Sequence, residues 1–470
     1  MVKNYWIKVL CGSLLLVGVW TTTAQTIITG DSLQDKALAT ALWTIDHNTD
    51  SLLLKAGADY GGEWTRDISI NSWNAVSLLR PKVAEYSLWS VTQDRQTIGH
   101  QYWDKIIWTI AAWNHYLATG HEQFLTEAYT CAKNTMRQLE DSCWDATYGL
   151  FTGPAVYQDG IAGYEEPIFD KRWDTITSFV LDYPNSHKIK CLSTNAVYYK
   201  AYLCLAEMAK LREPAAQKEY EQKAAQLKQH FREHFFDKKS LKLYYLIDHE
   251  GYKHKFQEAL GLSFSIMFGL VTPAEARKIV EKTYSSVYGV PTVWPHFKRY
   301  SESQPGRHNV MIWPHVNMFY ASACAQVGAW KNFAFEMRSL TELATQHDTK
   351  GEVNFHEIYN TTGEPDGGWQ SGWHWPPLNH QTWCATGYLR NYLYWVAGMQ
   401  LKLNGLYFQP AGIDVPRVVM KQIPYRNALL DITIEGNGKV LKKCIINGKK
   451  SKPFIPADAQ GNYDIVLIMR

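Results

Sequence analysis

Apolar residues recur every three or four positions between about residues 33 and 402, which is the spacing of amphipathic helices. Thr272, Pro273 and Glu275 form a helix start in which Thr caps the backbone and Glu reaches back to it. In the segment 220–235 the apolar positions, separated by lysines and glutamines, are Tyr220, Ala224, Leu227, Phe231 and Phe235. Similar stretches lie at 33–44, 66–80, 101–119, 121–139, 193–210, 256–269, 309–328, 330–346 and 379–400.

Many of these helices follow one another as pairs, and repeated helical hairpins either stack in an open solenoid or close into an α/α toroid. No sequence motif repeats at a fixed period, which favours the toroid. After about Asn404 the pattern changes to short β-branched runs separated by turn residues. The sequence therefore predicts a mainly α fold with a toroidal barrel at 25–403 and a small C-terminal antiparallel β-domain at 404–470. A short hairpin is also expected between residues 240 and 254.

Composition narrows the class of partner. The chain of 470 residues has a formal net charge of +3 and no long run of basic residues, so a nucleic-acid partner is not expected. Its 19 Trp, 28 Tyr and 17 Phe are many, and several Trp adjoin Gly, Pro, His or Asp. A large helical core uses aromatic side chains, but Trp in polar loops also suits the C–H face of a sugar. The expected partner is an oligosaccharide or glycoside.

The N-terminal residues have the order of a secretory signal peptide: Lys3 and Lys8, an apolar stretch at 9–20, and small residues that end at Ala24. The apolar stretch is too short for a membrane span, and no stable span is expected elsewhere. We therefore expect removal of residues 1–24 and export to the periplasm or the medium. Seven Cys follow Ala24 without a C-x-x-C pair, so neither a disulfide framework nor a zinc site is predicted.

Polar and aromatic loops interrupt the helical pattern, and these loops are where chemistry is expected. In GADYGGEWTRD, the residues Trp64, Arg66 and Asp67 stand at a predicted helix start. Arg donates and Asp accepts hydrogen bonds, so the pair could hold vicinal hydroxyls. The same residues would equally serve as a helix cap and a structural ion pair. In GPAVYQDGIAGYEEP, Asp159 lies between the aromatic Tyr157 and Gly160, where partial burial would help it to hold a proton.

Two further loops combine Trp with polar side chains. Glu357 precedes a Gly-rich loop whose tryptophans suit the wall of a sugar-sized pocket better than a core; they are Trp369, Trp373 and Trp375. The segment GRHNVMIWPHVNM heads another predicted helix and contains His308, Asn309, Trp313 and His315. A toroid would gather these loops at one face. Two carboxylates from different loops would then oppose each other across a glycoside, one to protonate the leaving oxygen and one to activate water or attack carbon.

At these loops the sequence resembles the six-hairpin (α/α)6-barrel glycosidases: glucoamylases, trehalases, processing α-glucosidases and the glucosidase domain of glycogen debranching enzymes. WTRD at 64–67 resembles their Trp-x-Arg-Asp element, which binds the terminal sugar, and HNVMIWPHVNMF at 308–319 is similar to a segment of the same pocket. YQDG with LSTNAVYYKAY at 192–202 resembles the general-acid loop and helix. HEIYNTTGEP with GGWQSGW resembles the general-base loop. PYRNALLDITIEGNGKV at 424–440 is similar to the β-domain after the barrel.

The resemblance implies Asp159 as the general acid and Glu357 as the general base. Glu165 and Glu166 stay as alternative acids, because the acid loop matches the family pattern loosely. The implied enzyme is an inverting, exo-acting α-glycosidase with carboxyl groups about 6.5–9.5 Å apart. α-Glucosides are the first expected substrates, then mannosides and other α-hexosides, and no cofactor or metal is expected. The expected sugar-binding residues are Trp64, Arg66, Asp67, Asn309, Trp313, His315, Trp369, Trp373 and Trp375.

Three other functions fit an aromatic pocket on a helical scaffold. A glycoside phosphorylase would need basic residues for phosphate near the base loop, and the segment 351–385 contains no Lys or Arg. A polysaccharide lyase would need a Tyr or His base and a cationic clamp for a uronate. A non-catalytic carbohydrate-binding protein would share the pocket without a working acid, and turnover of α-glycosides would distinguish it from an enzyme.

Overall fold

A computed structural model of the chain describes residues 25–62, 64–99, 103–165, 177–346, 350–411 and 415–470. The predicted signal peptide at 1–24 and the alternative acid Glu166 lie outside the described residues. Within these ranges, no helix is both long enough and apolar enough to cross a membrane.

Helices make up most of the chain before residue 397. They are α1 (Ser32–His47), α2 (Thr65–Asn71), α3 (Ser77–Leu79), α4 (Pro81–Ser90), α5 (Ile107–Thr119), α6 (Glu122–Cys143), α7 (Leu192–Arg212), α8 (Pro214–Phe235), α9 (Ala259–Met267), α10 (Pro273–Lys282), α11 (Pro314–Gln326), α12 (Trp330–Gln346) and α13 (Thr382–Asn391). Wide π-helical turns continue two of them, Ser72–Val76 after α2 and Tyr392–Val396 after α13.

Strands are short in the helical part, and the longest ones lie after residue 416. They are β1 (Thr26–Ile28), β2 (Thr49–Asp50), β3 (Leu53–Leu54), β4 (Thr92–Gln93), β5 (Thr97–Ile98), β6 (Trp144–Asp145), β7 (Leu150–Phe151), β8 (Lys190–Cys191), β9 (Phe236–Asp237), β10 (Lys242–Leu243), β11 (Leu246–Ile247), β12 (Lys253–His254), β13 (Gln257–Glu258), β14 (Val293–Trp294), β15 (Trp369–Gln370), β16 (Trp373–His374), β17 (Met399–Lys402), β18 (Gly405–Phe408), β19 (Arg417–Tyr425), β20 (Asn427–Glu435), β21 (Leu441–Ile446), β22 (Lys449–Lys450), β23 (Phe454–Pro456) and β24 (Gln460–Met469). The predicted hairpin at 240–254 is present, because β11 pairs antiparallel with β12.

Local sequence explains where several helices begin and end. The five apolar positions predicted for the helix at 220–235 are the buried residues of α8. A capping box starts α10, since the Thr272 hydroxyl accepts from the Glu275 backbone and the Glu275 carboxylate accepts from the Thr272 backbone. The helix predicted at 379–400 ends early. Gly398 there adopts a φ of 64°, a conformation that favours glycine, and the chain turns into β17.

Six of the helices contact one another in a cycle, each helix touching the next one and the last touching the first. Helix α2 contacts α5, α5 contacts α7, α7 contacts α9, α9 contacts α11, α11 contacts α13, and α13 contacts α2. Almost every residue of α11 is buried, and α7 is buried on most of its surface, as expected for helices that other helices surround. The amphipathic helices α1, α6, α8 and α12 pack outside them, against α13, α5, α7 and α11 respectively.

The C-terminal sheet has the strand order β1-β19-β20-β24-β21-β22. The prediction of a purely antiparallel sheet is wrong, because β20 and β24 run parallel. Their register extends from Asn427, which lies opposite Gln460, to Glu435, which lies opposite Ile468. The sheet also recruits the other end of the described chain, since β1 pairs with β19. The predicted boundary at residue 403 falls in the turn between β17 and β18, which pair with each other.

Candidate active site

Four separate stretches of the chain line one cavity of about 220 Å³. The cavity lies where three helices begin: Trp64 precedes α2, Trp313 precedes α11, and Trp383 lies in the first turn of α13. The predicted site residues that line it are Trp64, Arg66, Asp67, Asp159, Trp313, Glu357 and Trp375. Loops that are far apart in sequence therefore converge as expected.

The first turn of α2 contributes a buried cation and a buried carboxyl group. Arg66 is 6% exposed and its Nη2 donates to Oδ2 of Asp159 at 2.6 Å. Asp67 is 4% exposed, and burial raises its pKa to about 7, although the neighbouring Arg66 acts in the opposite direction. Asp67 can thus carry a proton near neutral pH and can donate as well as accept a hydrogen bond.

Asp159 is the more accessible of the two candidate catalytic carboxylates, with 32% of its side chain exposed. Its loop is held from both sides. The Asp159 carbonyl accepts from the Val180 backbone at 2.7 Å, and the Tyr157 backbone donates to the buried Asp104 at 3.2 Å. Tyr157 has a φ of 67°, an uncommon conformation for a bulky residue that needs support from its surroundings. These hydrogen bonds therefore fix the loop in a conformation in which Asp159 lines the cavity.

Glu357 lies deeper and is paired with Arg307. The Arg307 Nη2 donates to Oε2 of Glu357 at 2.7 Å, and both side chains are more than nine-tenths buried, at 7% and 6% exposed. The same nitrogen donates to the Tyr60 hydroxyl at 3.2 Å. Burial raises the pKa of Glu357 above its ordinary value, while the Arg307 guanidinium lowers it. The ion pair thus favours the charged carboxylate in a dry setting.

Stacked rings form one wall of the cavity. Trp313 stacks on His308 with ring centroids 3.8 Å apart, and Trp383 stacks on His315 at 4.6 Å. Burial lowers the pKa of both histidines well below the ordinary value, so both rings are neutral near pH 7. The Trp rings give the wall the flat apolar surface that a sugar ring can contact.

A family model described as the mannosylglycerate hydrolase MGH1-like glycoside hydrolase domain matches residues 74–383, which is 310 of the 470 residues. The chain belongs to this family. It is therefore a glycoside hydrolase with a carbohydrate substrate, and the predicted resemblance to six-hairpin glycosidases is confirmed. No curated protein sequence matches the chain.

Solved structures share the fold at low sequence identity. A protein described as a sialidase aligns with a TM-score of 0.68 and 14% identity over 91% of this chain and 40% of its own. The GH63 mannosylglycerate hydrolase from Thermus thermophilus in complex with glucose aligns with a TM-score of 0.58 and 14% identity, over 75% of this chain and 99% of its own. The GH78 family rhamnosidase of Bacillus sp. GL1 aligns with a TM-score of 0.59 and 13% identity, over 95% of this chain and 44% of its own. This glycoside hydrolase thus spans less than half of the sialidase and of that rhamnosidase.

Four predicted sugar-binding residues do not line the cavity. The Asn309 side chain holds the 293–297 loop, since it accepts from the Phe297 backbone and donates to the Pro295 and Val293 carbonyls. His315 lies behind Trp313 and Trp383. Trp369 stacks on His374, and Trp373 is 73% exposed outside the cavity. The Trp-rich loop contributes one ring to the cavity, Trp375.

The alternative acid Glu165 is engaged elsewhere. Its Oε2 lies 2.8 Å from Nδ1 of the buried His254, whose Nε2 is 3.1 Å from Asp248. Glu165 does not line the cavity. Among the described carboxylates of this loop, Asp159 is the one that faces it.

Sequence reasoning missed Arg307, Tyr60, Gln370 and Trp383, which all line the cavity. Arg307 directly precedes His308 and Asn309 in the segment GRHNVMIWPHVNM, and this position is the sequence feature that could have indicated its role. The segment 351–385 contains no Lys or Arg, which disfavours a phosphorylase on sequence alone. In the folded site, however, Arg66 and Arg307 reach the two carboxylates from other parts of the chain, so basic residues are present.

Proposed function

We propose that this glycoside hydrolase is an exported, exo-acting α-glycosidase that hydrolyses its substrate with inversion. The observation that carries the proposal is one cavity lined by Asp159 and Glu357, which come from different loops and are each bound by an arginine. Its volume of about 220 Å³ equals roughly seven water molecules at about 30 Å³ each, which suits one terminal sugar ring.

The two carboxylates differ in a way that suits different roles. Asp159 is partly exposed, so its carboxyl group can reach the glycosidic oxygen of a sugar that enters the cavity, as a proton donor requires. Arg66 binds Asp159 in the free enzyme and would need to turn toward the substrate hydroxyls. Arg307 opposes the effect of burial and favours the charged form of Glu357, as a base that accepts a proton from water requires. Inversion further requires space for that water between the carboxyl groups.

For the substrate we propose an α-linked hexose, with α-glucosides first and α-mannosides next. The family description names a mannosylglycerate hydrolase, and the Thermus thermophilus enzyme of that description was solved with glucose. Asp67, Arg66 and Trp64 would hold hydroxyl groups and one face of the terminal ring, and Trp313 and Trp375 would contact the sugar from the other loops.

We propose that the cycle of helices α2, α5, α7, α9, α11 and α13 is the closed inner ring of an (α/α)6 barrel. The helical catalytic domain and the β-domain would then divide near residue 403, with β1 added to the β-domain. The signal-like order of residues 1–24 supports export. An intact Met1 in the mass spectrum of the protein made by its natural host would contradict export with cleavage.

The function is tested by turnover and by the configuration of the product. The enzyme is incubated with α-glucosides, α-mannosides and α-rhamnosides that carry neutral or acidic leaving groups. Proton NMR during the first turnovers would show the β-anomer of the released hexose. Release of the α-anomer first would contradict inversion. Hydrolysis of the α-rhamnosides, without hydrolysis of the α-glucosides or α-mannosides, would overturn the proposed substrate class and leave the protein a glycosidase.

A further inference from the structure

The last turns of α8 carry two histidines and a glutamate on one face of the helix. His230, Glu233 and His234 stand three and four positions apart, which places their side chains side by side. One potential ligand atom from each lies within 4.8 Å of the others, and His230 Nδ1 is 3.8 Å from Glu233 Oε2. In inverzincin proteases the same H-x-x-E-H spacing puts two zinc-binding histidines on one helix.

The turn between β6 and β7 orients the first histidine. Gly149 in that turn has a φ of 62°, and a Cβ atom built on it would clash with Cδ2 of His230 and lie 2.7 Å from Nε2. The imidazole edge with Cδ2 and Nε2 therefore packs against the Gly149 backbone, while Nδ1 faces Glu233. A larger residue than glycine would displace the ring.

The same turn holds the second histidine. The Tyr148 ring lies 5.2 Å from the His234 ring, and the Tyr148 backbone forms a hydrogen bond with the imidazole. Metal-binding histidines commonly use one ring nitrogen for a backbone carbonyl and the other for the ion. The nearby positive charge of Lys253 limits the affinity of the site for a cation.

We propose that His230, Glu233 and His234 form a binding site for a divalent transition metal ion of the zinc type. Two imidazoles and one carboxylate are ligands that zinc accepts, and water would complete the tetrahedron. The ion would order the end of α8 and the two rings on which the β6–β7 turn packs. Since β7 leads into the loop of Asp159, the ion would stabilise the base of that loop without touching substrate.

The test uses the full chain without an affinity tag, after dialysis against EDTA. Zn²⁺ binding is followed by isothermal titration calorimetry, and Tm is recorded with and without Zn²⁺. We expect one bound ion per chain and a higher Tm with Zn²⁺. Loss of a ligand in His230→Gln or in His234→Gln should weaken Zn²⁺ binding at least ten-fold and abolish the Tm increase.

His187→Gln, which removes an exposed histidine elsewhere, and Glu221→Gln, which removes a carboxylate from α8, are the matched controls and should bind Zn²⁺ as the parent does. Co²⁺ gives a second readout: a tetrahedral visible spectrum without a thiolate charge-transfer band would support the site. Unchanged Zn²⁺ affinity in both His variants, a thiolate band, or no binding by the parent would each overturn the proposal. Circular dichroism of the metal-free variants verifies their fold.

Discussion

The roles of Asp159 and Glu357 can be separated by the leaving group of the substrate. Asp159→Asn and Glu357→Gln each remove a proton-transfer group and keep the side-chain shape. Both replacements also retain a carbonyl oxygen that can accept from Arg66 or Arg307. With an alkyl or sugar leaving group, each variant should lose turnover, because each lacks one partner of the pair. With a nitrophenyl glycoside, the departing oxygen needs little protonation, so Asp159→Asn should be partly spared and Glu357→Gln should not.

General acid or base assistance contributes about 10²–10⁴-fold, or about 3–5 kcal/mol at 1.36 kcal/mol per decade. A nitrophenyl leaving group should therefore restore up to that factor in Asp159→Asn. For Glu357→Gln the loss should stay at the full value with every leaving group. The Glu357→Gln variant should also be less stable than the parent, because the replacement leaves the buried Arg307, which is 7% exposed, without a charged partner.

The assay compares kcat and kcat/KM for a series of aryl α-glucosides of different leaving-group acidity. The matched controls are Asp182→Asn and Glu364→Gln, which change exposed carboxylates near the acid loop and on the base loop, and both should keep parental kinetics. If Glu357→Gln is the variant that good leaving groups rescue, the two roles are exchanged. If Asp159→Asn is fully active on natural glycosides, Asp159 is not the acid and Glu166 becomes the candidate in this loop. Full activity of both variants would refute the paired-carboxylate reasoning.

Further predictions concern the residues around the site. Arg307→Met should move the acid limb of the kcat/KM profile to higher pH, because Arg307 lowers the pKa of Glu357; an unmoved limb would contradict the pairing. Asn309→Ala should cost about 1–3 kcal/mol in urea unfolding with KM unchanged, because it leaves buried backbone groups unpaired. Burial raises the pKa of Glu336 from 4.5 to about 8, so its contribution to stability is complete below about pH 4.5 and is lost as pH rises from there to about 8. Glu336→Gln should flatten the fall in Tm between about pH 5 and 8, and an equally steep fall would contradict this assignment.

Local patterns in the sequence were sufficient for much of the helical part. The apolar period of α8 predicted its buried face, and the Thr272 capping box predicted the start of α10, because both depend on residues within one or two turns. The loops that carry Trp64, Asp159, Trp313 and Glu357 were also recognisable, since polar and aromatic residues in Gly-rich segments break the helical period.

Contacts between distant segments could not be read from such patterns. Arg307 binds Glu357 across 50 positions of sequence, and the residues next to Glu357 in the sequence do not indicate that a cation will pair with it. The pairing of β1 with β19 adds the first strand of the described chain to the C-terminal sheet, and the parallel alignment of β20 with β24 depends on how the intervening strands return. Hydrophobic periodicity reports which face of an element is buried, not which element covers it. The chain thus encodes its elements and its reactive residue types locally, whereas charge pairing, burial and cavity shape arise when the helices assemble.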